Sequence, residues 1–373
     1  MVGVDVGVGL HSRRSAMKIV EVIANQIKTT VFSRIIAINQ KVCLIIDEAT
    51  TLSMKAVLIV FVRVEDPECP APVFVELLEL QKQDAETIYS ASLGSLHKLG
   101  FTTKYLQKNL IAFCSDGANI MLERKSGVSA RIAQDFPNIV IWYCLSHRLQ
   151  LVLDDAIREV KQINHFKIFL DKILTTFQKF CKSQNDLFQI SEQLGIEIVK
   201  IGRVLGPRWA ACSLRATIAV WRAYPALHQF FQGNGRFPGM ASRFENLNFL
   251  KDLALMIDIL NEISLSSNVL QGREINIIMA EKLVLQTINA FEVLRQRKDR
   301  YETELVEVLK TQAFKNINLA PNQRFVALPH DKFLSSIITN LKKRLMDCDH
   351  LRTSSLLPDV NKLHFITYLE PDY

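Results

Sequence analysis

Two aspartates, each at the end of an apolar segment, are the residues of this chain whose type and position could support chemistry. Asp47 closes the run Val42–Asp47, and Asp116 follows the run Leu110–Ser115. Both runs are rich in residues that favour β-strands. If the two strands lie side by side, both carboxylates meet at one edge of a sheet, where they could bind a hard cation such as Mg²⁺. The alternative interpretation is that each aspartate only caps the turn after its strand.

A second group of candidate residues opens a predicted helix farther along the chain. Three arginines recur at intervals of seven residues, which places them near one stripe of that helix: Arg208, Arg215 and Arg222. Aromatic residues interleave with them: Trp209, Trp221 and Tyr224. Arginines among aromatic rings could contact phosphates and stack on a base. A helix with a solvated arginine face and a buried aromatic face explains the same pattern equally well.

A cysteine and a histidine make a third candidate pair. Cys144 and His147 stand three residues apart, just after an apolar segment, and residues three apart share one face of a helix. A structural zinc ion needs four ligands, usually with a second pair at similar spacing. His165, Cys181 and Cys212 are isolated in the sequence and offer no such pair. We therefore favour a structural pair at a strand-to-helix junction over a zinc site.

Hydrophobic periodicity predicts the elements that must position these residues. In order they are a leading helix, three strands, a helix, a fourth strand, a short helix and a fifth strand, over residues 15–39, 42–47, 56–64, 72–80, 84–99, 110–115, 127–134 and 137–142. Short connections favour an antiparallel meander, and the helix before the fourth strand favours a parallel crossover. This order is typical of an RNase H-like fold, an α/β class with a five-stranded mixed sheet in the order 3-2-1-4-5.

From Leu145 onward the pattern is helical almost throughout. Amphipathic helices are predicted over residues 164–180, 208–231, 249–260 and 279–309. No clear period returns after about Ala320. We therefore divide the chain into a disordered N-terminus, an RNase H-like core with its leading helix, an α-helical insertion and an irregular, truncated C-terminal tail, over residues 1–14, 15–160, 161–310 and 311–373.

Composition excludes several classes of protein. Hydrophobic residues make up 49% of the chain and charged residues 22%, which is typical of a globular protein. No apolar run is long enough to cross a bilayer, so no membrane partner is expected. The N-terminus lacks the order of a signal peptide, and the seven cysteines form no CxxC, so we expect a reduced, intracellular protein. The net charge of +7 is compatible with a nucleic-acid partner.

Four segments, taken in order, resemble the hAT superfamily of transposases and the host proteins derived from them, with vertebrate domesticated members the most alike. The segments are Leu44–Thr50, Cys114–Met121, Cys144–Leu151 and Gly206–Trp209. The resemblance implies an RNase H-like core followed by an α-helical insertion. It also implies that Asp47 and Asp116 are the first two members of a metal-binding DDE triad, and that the segment with His147 and the residue Trp209 handle DNA.

The chain departs from this family where a third acid is expected. Glu281, Glu292 and Glu302 lie on predicted helices, but no motif marks any of them. With two of three metal ligands, metal affinity and the stabilisation of transition-state charge should fall steeply. We therefore expect a domesticated, catalytically inactive protein of the nucleus that binds nucleic acid or protein, with Mg²⁺ as the one cofactor that its carboxylates suggest. Its oligomeric state is left open.

Two alternative functions follow from the same resemblance. One is an E3 SUMO-protein ligase, by analogy with a vertebrate family member that is described as one, and its partners would be SUMO or a SUMO-conjugating enzyme. The segment Val42–Asp47 also fits the loose pattern of SUMO-interacting strands, which must be exposed to pair by edge addition, whereas this strand is predicted to be central. The other is an active DDE transposase, which is less favoured because no end-recognition or dimerisation segment is recognisable.

Overall fold

The computed structural model describes residues 12–64, 72–179, 181–198, 209–237, 239–272, 275, 277–320 and 325–346. Within them the chain divides into two compact units, a sheet unit that ends at Cys144 and a helical unit that begins at Leu145. The boundary therefore lies where the fifth strand ends, earlier than the expected position after residue 160. Residues 1–11, which include most of the N-terminus expected to be disordered, lie outside the described residues.

The described part of the sheet unit contains five helices and five strands. In chain order they are α1 (Arg13–Ala37), β1 (Val42–Thr50), β2 (Ala56–Val64), β3 (Val73–Glu79), α2 (Ala85–Lys98), α3 (Thr103–Asn109), β4 (Leu110–Ser115), α4 (Asn119–Leu122), α5 (Val128–Asp135) and β5 (Val140–Tyr143). The strands form one sheet in the order β3-β2-β1-β4-β5. The β1–β2 and β2–β3 pairs are antiparallel, and the β1–β4 and β4–β5 pairs are parallel. The predicted α/β class and strand order are confirmed.

The central strand β1 is longer than its sequence pattern predicts. Its first five residues, Val42–Ile46, are all buried, as expected for a strand with a neighbour on each side. The strand was expected to end at Asp47, but the antiparallel ladder with β2 continues to the pair Thr50–Ala56. Asp47 therefore lies inside β1, and a tight turn over residues 51–55 replaces the longer polar turn expected after Asp47.

One face of the sheet packs against the helices to form the core of this unit. Its buried apolar side chains come from strands and helices alike and include Leu44, Ile46, Leu58, Phe113, Phe32, Ile88 and Ile132. Capping residues fix where two of these helices begin. The Ser12 hydroxyl accepts a hydrogen bond from the backbone N–H of Ser15, and the Asp84 carboxylate accepts one from the backbone N–H of Thr87 at 2.8 Å.

The edge strand β3 carries a bulge, and a lysine of α1 donates a hydrogen bond to the backbone there. Val60 pairs with Glu76 and Phe61 with Phe74, so Val75 is the extra residue of the bulge. Lys28 on α1 donates a hydrogen bond from its ammonium to the Val75 carbonyl at 2.6 Å. The same ammonium lies 5.0 Å from the centre of the Phe74 ring. A charged side chain thus sits on the open edge of the sheet.

The helical unit consists of ten α-helices, a two-stranded hairpin and a short π-helical segment within the described residues. They are α6 (Leu145–Glu159), α7 (Lys161–Lys179), α8 (Cys181–Gln193), α9 (Trp209–Arg222), α10 (Tyr224–Gln232), α11 (Met240–Phe244), α12 (Leu247–Leu270), α13 (Ile277–Gln296), α14 (Arg300–Thr311), β6 (Ala313–Phe314), β7 (Ile317–Asn318), α15 (His330–Leu341) and the π-helical segment Lys342–Met346. The expected all-helical character is therefore present.

Three expectations for this unit differ from the structure. The helix expected over residues 208–231 breaks at Ala223, because Pro225 cannot continue the hydrogen bonding of the preceding helix and instead occupies the first turn of α10. The helix expected over 279–309 is interrupted between α13 and α14. The tail expected to be irregular contains the hairpin and α15 in its described part.

Helix α12 lies at the centre of this unit and packs against α9, α13 and α14. It is the one helix among the described residues that is long and apolar enough to cross a membrane, which the sequence was not expected to contain. Two thirds (67%) of its most apolar window is buried inside the unit, as in the core helix of a helical bundle. Length and composition alone are therefore weak evidence for a membrane span.

Candidate carboxylate site and basic surface

The register of the central strands places the two predicted aspartates at the same level of the sheet. Ile45 on β1 pairs with Cys114 on β4, and the two strands are parallel. Two residues beyond this pair stand Asp47 and Asp116, which are both half-buried. The two aspartates therefore stand at the same level of adjacent strands, although Asp47 lies inside β1 instead of at its end, and the parallel ladder itself ends at Ile45.

Backbone contacts hold the turn that carries Asp116. Its carboxylate accepts a hydrogen bond from the backbone N–H of Ala118 at 3.2 Å, and its carbonyl accepts one from the Ser115 hydroxyl at 3.1 Å. The carbonyl of Ser115 in turn accepts the N–H of Cys144 at 3.1 Å. Asp116 thus also caps the turn after its strand, as the alternative interpretation stated. Turn capping and a role at the sheet edge are compatible, since one carboxylate oxygen suffices for the cap.

Glu48 is a third carboxylate near this position, and sequence reasoning missed it. Burial raises the pKa of Glu48, the negative charge of Asp116 raises that pKa further, and a hydrogen bond with Gln83 acts in the opposite direction. One carboxylate oxygen of Glu48 has no hydrogen-bond partner among the described residues. The only signal in the sequence was its position directly after Asp47. The carboxylates of Glu48 and Asp116 therefore lie near each other, and the repulsion between them adds to the effect of burial on the pKa of Glu48.

The oxygen atoms at this site match magnesium in donor type. Mg²⁺ prefers carboxylate oxygens and usually takes one or two from the protein. Among the residues that the structure describes, however, no group of three or more His, Cys, Asp or Glu side chains is arranged to hold a metal ion. Asp47 and Asp116 thus match the donor type that a DDE centre requires, but not the number of its protein ligands.

Two of the three late glutamates contact neighbouring side chains within the helical unit. Glu292 on α13 pairs with Arg295 one turn later at 3.0 Å. Glu302 on α14 lies 3.5 Å from His330, and a hydrogen bond to this glutamate, together with its charge, raises the pKa of His330 although burial lowers it. Glu281 is exposed on α13. Sequence motifs and these contacts give no reason to choose one of them as a third metal ligand.

Cys144 and His147 lie at the junction between β5 and α6, as the structural interpretation predicts. Cys144 is the first residue after β5, and His147 is in the first turn of α6; both are half-buried. The cysteine and histidine considered as further zinc ligands, Cys181 and His165, are exposed on α8 and α7, and the side chain of Cys212 lies outside the described residues. The SUMO-binding interpretation of Val42–Asp47 also loses its geometric basis, because β1 is the central strand and pairs on both sides.

Helix α9 separates its arginines from its aromatic residues. Arg215 and Arg222 are exposed. Trp221 is buried, with its ring 4.8 Å from that of Phe314, and Tyr224 is fully buried just after the helix. The buried aromatic face is therefore correct for these two residues, and they are not available to stack on a base. Arg208 and the side chain of Trp209 lie outside the described residues.

A second cation lies beside Arg222, in a residue that sequence reasoning did not select. Lys315, in the turn of the β6–β7 hairpin, donates hydrogen bonds from its ammonium to the carbonyls of Trp221 and Arg222 at 2.5 and 3.3 Å. Burial lowers the pKa of Lys315, Glu304 raises it, and the positive charge of Arg222 lowers it. The Lys315 ammonium thus lies against the backbone of Arg222.

Both cations line an open cavity of about 870 Å³ in the helical unit. Its polar lining also includes His228 and Glu245, whose side chains contact each other at 2.8 Å, and the hairpin residue Asn316. Lys315 and Asn316 both have positive φ angles, 49° and 67°, which a two-residue hairpin turn requires. The turn thus presents a lysine and an amide at the mouth of a basic cavity. No protein-family model matches this chain.

Proposed function

We propose that this protein is a nuclear nucleic-acid-binding protein of hAT-transposase descent, whose helical unit contacts phosphates and whose sheet unit is a catalytically inactive RNase H-like core. The observation that carries the proposal is the cation pair of Arg222 and Lys315 at one open cavity. Arg215, two turns earlier on the same stripe of α9, is also exposed. The net charge of +7 favours an anionic partner in the same sense.

The chemistry of this surface suits a phosphate backbone better than a base. Guanidinium and ammonium groups donate to phosphate oxygens without reading sequence. The aromatic rings near these cations are buried in the core, so stacking on bases adds nothing at Trp221 or Tyr224. We therefore expect binding that depends strongly on salt and weakly on nucleotide sequence, because counterion release supplies most of its free energy.

The binding test compares one cation of the cavity with one outside it. Fluorescence anisotropy with labelled duplex and single-stranded DNA is measured from low to physiological salt. For Arg222→Gln we expect an affinity lowered by roughly three- to tenfold at low salt and a salt slope reduced by about one charge. The matched control is Arg300→Gln on α14, whose arginine side chain is 77% exposed. No binding by the unchanged chain, or equal losses in both variants, would contradict the proposal.

The inactivity of the sheet unit has its own test. The full chain is incubated with labelled duplex DNA and Mg²⁺ or Mn²⁺, and strand breaks are resolved on a denaturing gel. We expect no cleavage above the level of an Asp116→Ala variant, because two motif-marked acids provide too little stabilisation of transition-state charge. Robust cleavage that disappears in Asp116→Ala would show that the protein is an active nuclease or transposase.

A further inference from the structure

The first half of α1 is an apolar helix segment that the described chain leaves uncovered. Every residue from Ala16 to Ile27 is exposed, and the buried residues of this helix, Phe32 and Ile35, come only near its end. Six large aliphatic side chains in this segment are 42–68% exposed: Met17, Ile19, Val20, Val22, Ile23 and Ile27. A contiguous apolar patch of this kind is typical of an interaction surface.

The exposed apolar residues form a seam rather than a scatter. The seam consists of Ala16, Val20, Ile23 and Ile27, at intervals of four, three and four residues, which is the spacing of one helix face. Its flanks are also apolar: Met17, Ile19 and Ala24. Polar residues occupy the opposite face, where Val22 is the exception. The segment is therefore amphipathic, although no described part of the chain packs on its apolar side.

The seam points in a different direction from the stripe that anchors α1 to its own core. At 100° per residue, Ile35 lies roughly 90° and Phe32 roughly 150° around the helix from the centre of the seam. A partner helix on the seam would thus lie beside the sheet unit and would not compete with the contacts of Phe32 and Ile35. The anchoring stripe and the seam can be filled at the same time.

We propose that the seam is covered by the seam of a second copy of this chain, in an antiparallel helix pair. The spacing of four, three and four residues reads the same in both directions, so Ala16 faces Ile27 of the other copy and Val20 faces its Ile23. This is the self-complementary pattern that a two-fold interface requires.

Charge and dipoles favour the antiparallel arrangement. Arg13 flanks the seam and would lie near its own copy in a parallel pair, where the two cations repel each other, whereas Arg14 and Lys18 lie on the opposite face of the helix. An antiparallel pair separates the two basic ends. It also opposes the two helix dipoles, which adds to the preference.

The exposed area suits a small, reversible interface. The exposed fractions of the five large apolar side chains on the seam and its flanks, which leave out Val22, amount to nearly three whole side chains. This corresponds to roughly 500 Å² per copy, or about 1,000 Å² in total, which is within the range of small, weakly bound interfaces. We therefore expect a dimer that dissociates on dilution, independently of nucleic acid.

The oligomeric state of the full chain tests this inference. We expect sedimentation velocity at about 50 µM to give about 85 kDa, twice the 42.5 kDa of the monomer. Ile23→Glu and Val20→Lys place charges in the seam and should give the monomer mass, with circular dichroism showing that each variant is folded. The matched control is Leu52→Glu in the β1–β2 turn, where an equally apolar side chain is fully exposed and the dimer should persist.

A photocrosslinker at Met17 tests the orientation. We expect p-benzoylphenylalanine at this position to link to the partner near Ile27, as identified by mass spectrometry of the covalent dimer. Links between two copies of position 17 would overturn the antiparallel arrangement. A monomeric unchanged chain at 50 µM, a dimer that survives both seam variants, or a dimer that the Leu52→Glu control disrupts would each overturn the proposal as a whole.

Discussion

Asp258 provides a test of how the helical unit holds its parts together. This residue of α12 is buried, and its two carboxylate oxygens accept the backbone N–H groups of Tyr301 and Glu302 at 3.2 and 3.1 Å. Those N–H groups belong to the first turn of α14, whose own N-cap residue, Asp299, makes no side-chain capping bond. Asp258 thus caps a helix from outside it, which a buried carboxylate does at a cost in solvation.

The solvation cost of burying Asp258 is reflected in the pKa of its carboxyl group. Burial raises its pKa from 3.8 to about 7, the two N–H bonds oppose this, and the charges of Asp299 and Glu302 add to it. Between these two pH values the unfolded chain has lost the proton that the folded chain retains, so the free energy of unfolding falls as the pH rises. The stability that the protonated form contributes is complete below about pH 4 and lost as the pH passes 7. A slope of about 1.4 kcal/mol per pH unit gives about 2–3 kcal/mol between pH 5 and pH 7.

The substitution Asp258→Asn removes the titration but keeps one acceptor oxygen for the cap. Urea unfolding of both proteins is followed by circular dichroism at 222 nm from pH 5 to pH 8. We expect the free energy of unfolding of the variant, relative to the unchanged chain, to improve by about 2–3 kcal/mol from pH 5 to pH 7 and then to level off. Asp331→Asn, whose aspartate side chain is 81% exposed, serves as the control with no such trend. A difference between Asp258→Asn and the unchanged chain that stays constant with pH would refute the reasoning.

Three further outcomes follow from the contacts described. Gly127→Ala should lower the urea midpoint of unfolding, because a Cβ at this position would lie 2.6 Å from a backbone nitrogen of the preceding turn. Gly94→Ala should instead stabilise α2 by about 0.5–1 kcal/mol, because nothing lies within 4 Å of a Cβ there. Equal effects of the two substitutions would contradict this reasoning. Lys315→Met should lower the free energy of unfolding, measured in urea, by about 1 kcal/mol, because the carbonyls at the end of α9 lose the ammonium that caps them. Asp116→Asn should lower the pKa of Glu48 in a ¹³C carboxyl NMR titration, and an unchanged pKa would place the two carboxylates out of range.

The sequence predicts the sheet well because its strands are set by local pattern. The bounds of β2 and β4 agree with the predicted segments, and the strand order follows from connection lengths. The end of β1 is wrong because pairing with β2 overrides the polar residues after Asp47. The role of Glu48 depends on burial and on Asp116, which only the assembled sheet brings near, so its raised pKa has no counterpart in the local sequence.

The helical unit shows a different kind of error. The apolar residues of α15 follow helical spacing, as Phe333, Ile337 and Leu341 illustrate, so the signal for this helix was present. The prolines and mixed polarity of the stretch after Ala320 obscure this spacing when the stretch is taken as a whole. The second cation of the basic cavity could not be predicted at all. Lys315 reaches Arg222 across 93 residues of chain, and no local pattern encodes that distance.

The lysine on the edge of the sheet has a consequence for how this protein can associate. An unpaired edge strand is a template for another strand, yet at β3 the bulge at Val75 interrupts the ladder and the Lys28 ammonium occupies the carbonyl that an incoming strand would use. Lys28 belongs to the same helix that carries the exposed seam. Helix α1 therefore hinders the addition of further strands at the edge of the sheet. It also presents a seam that one partner helix covers completely. We thus expect α1 to favour a closed pair over an open-ended fibre.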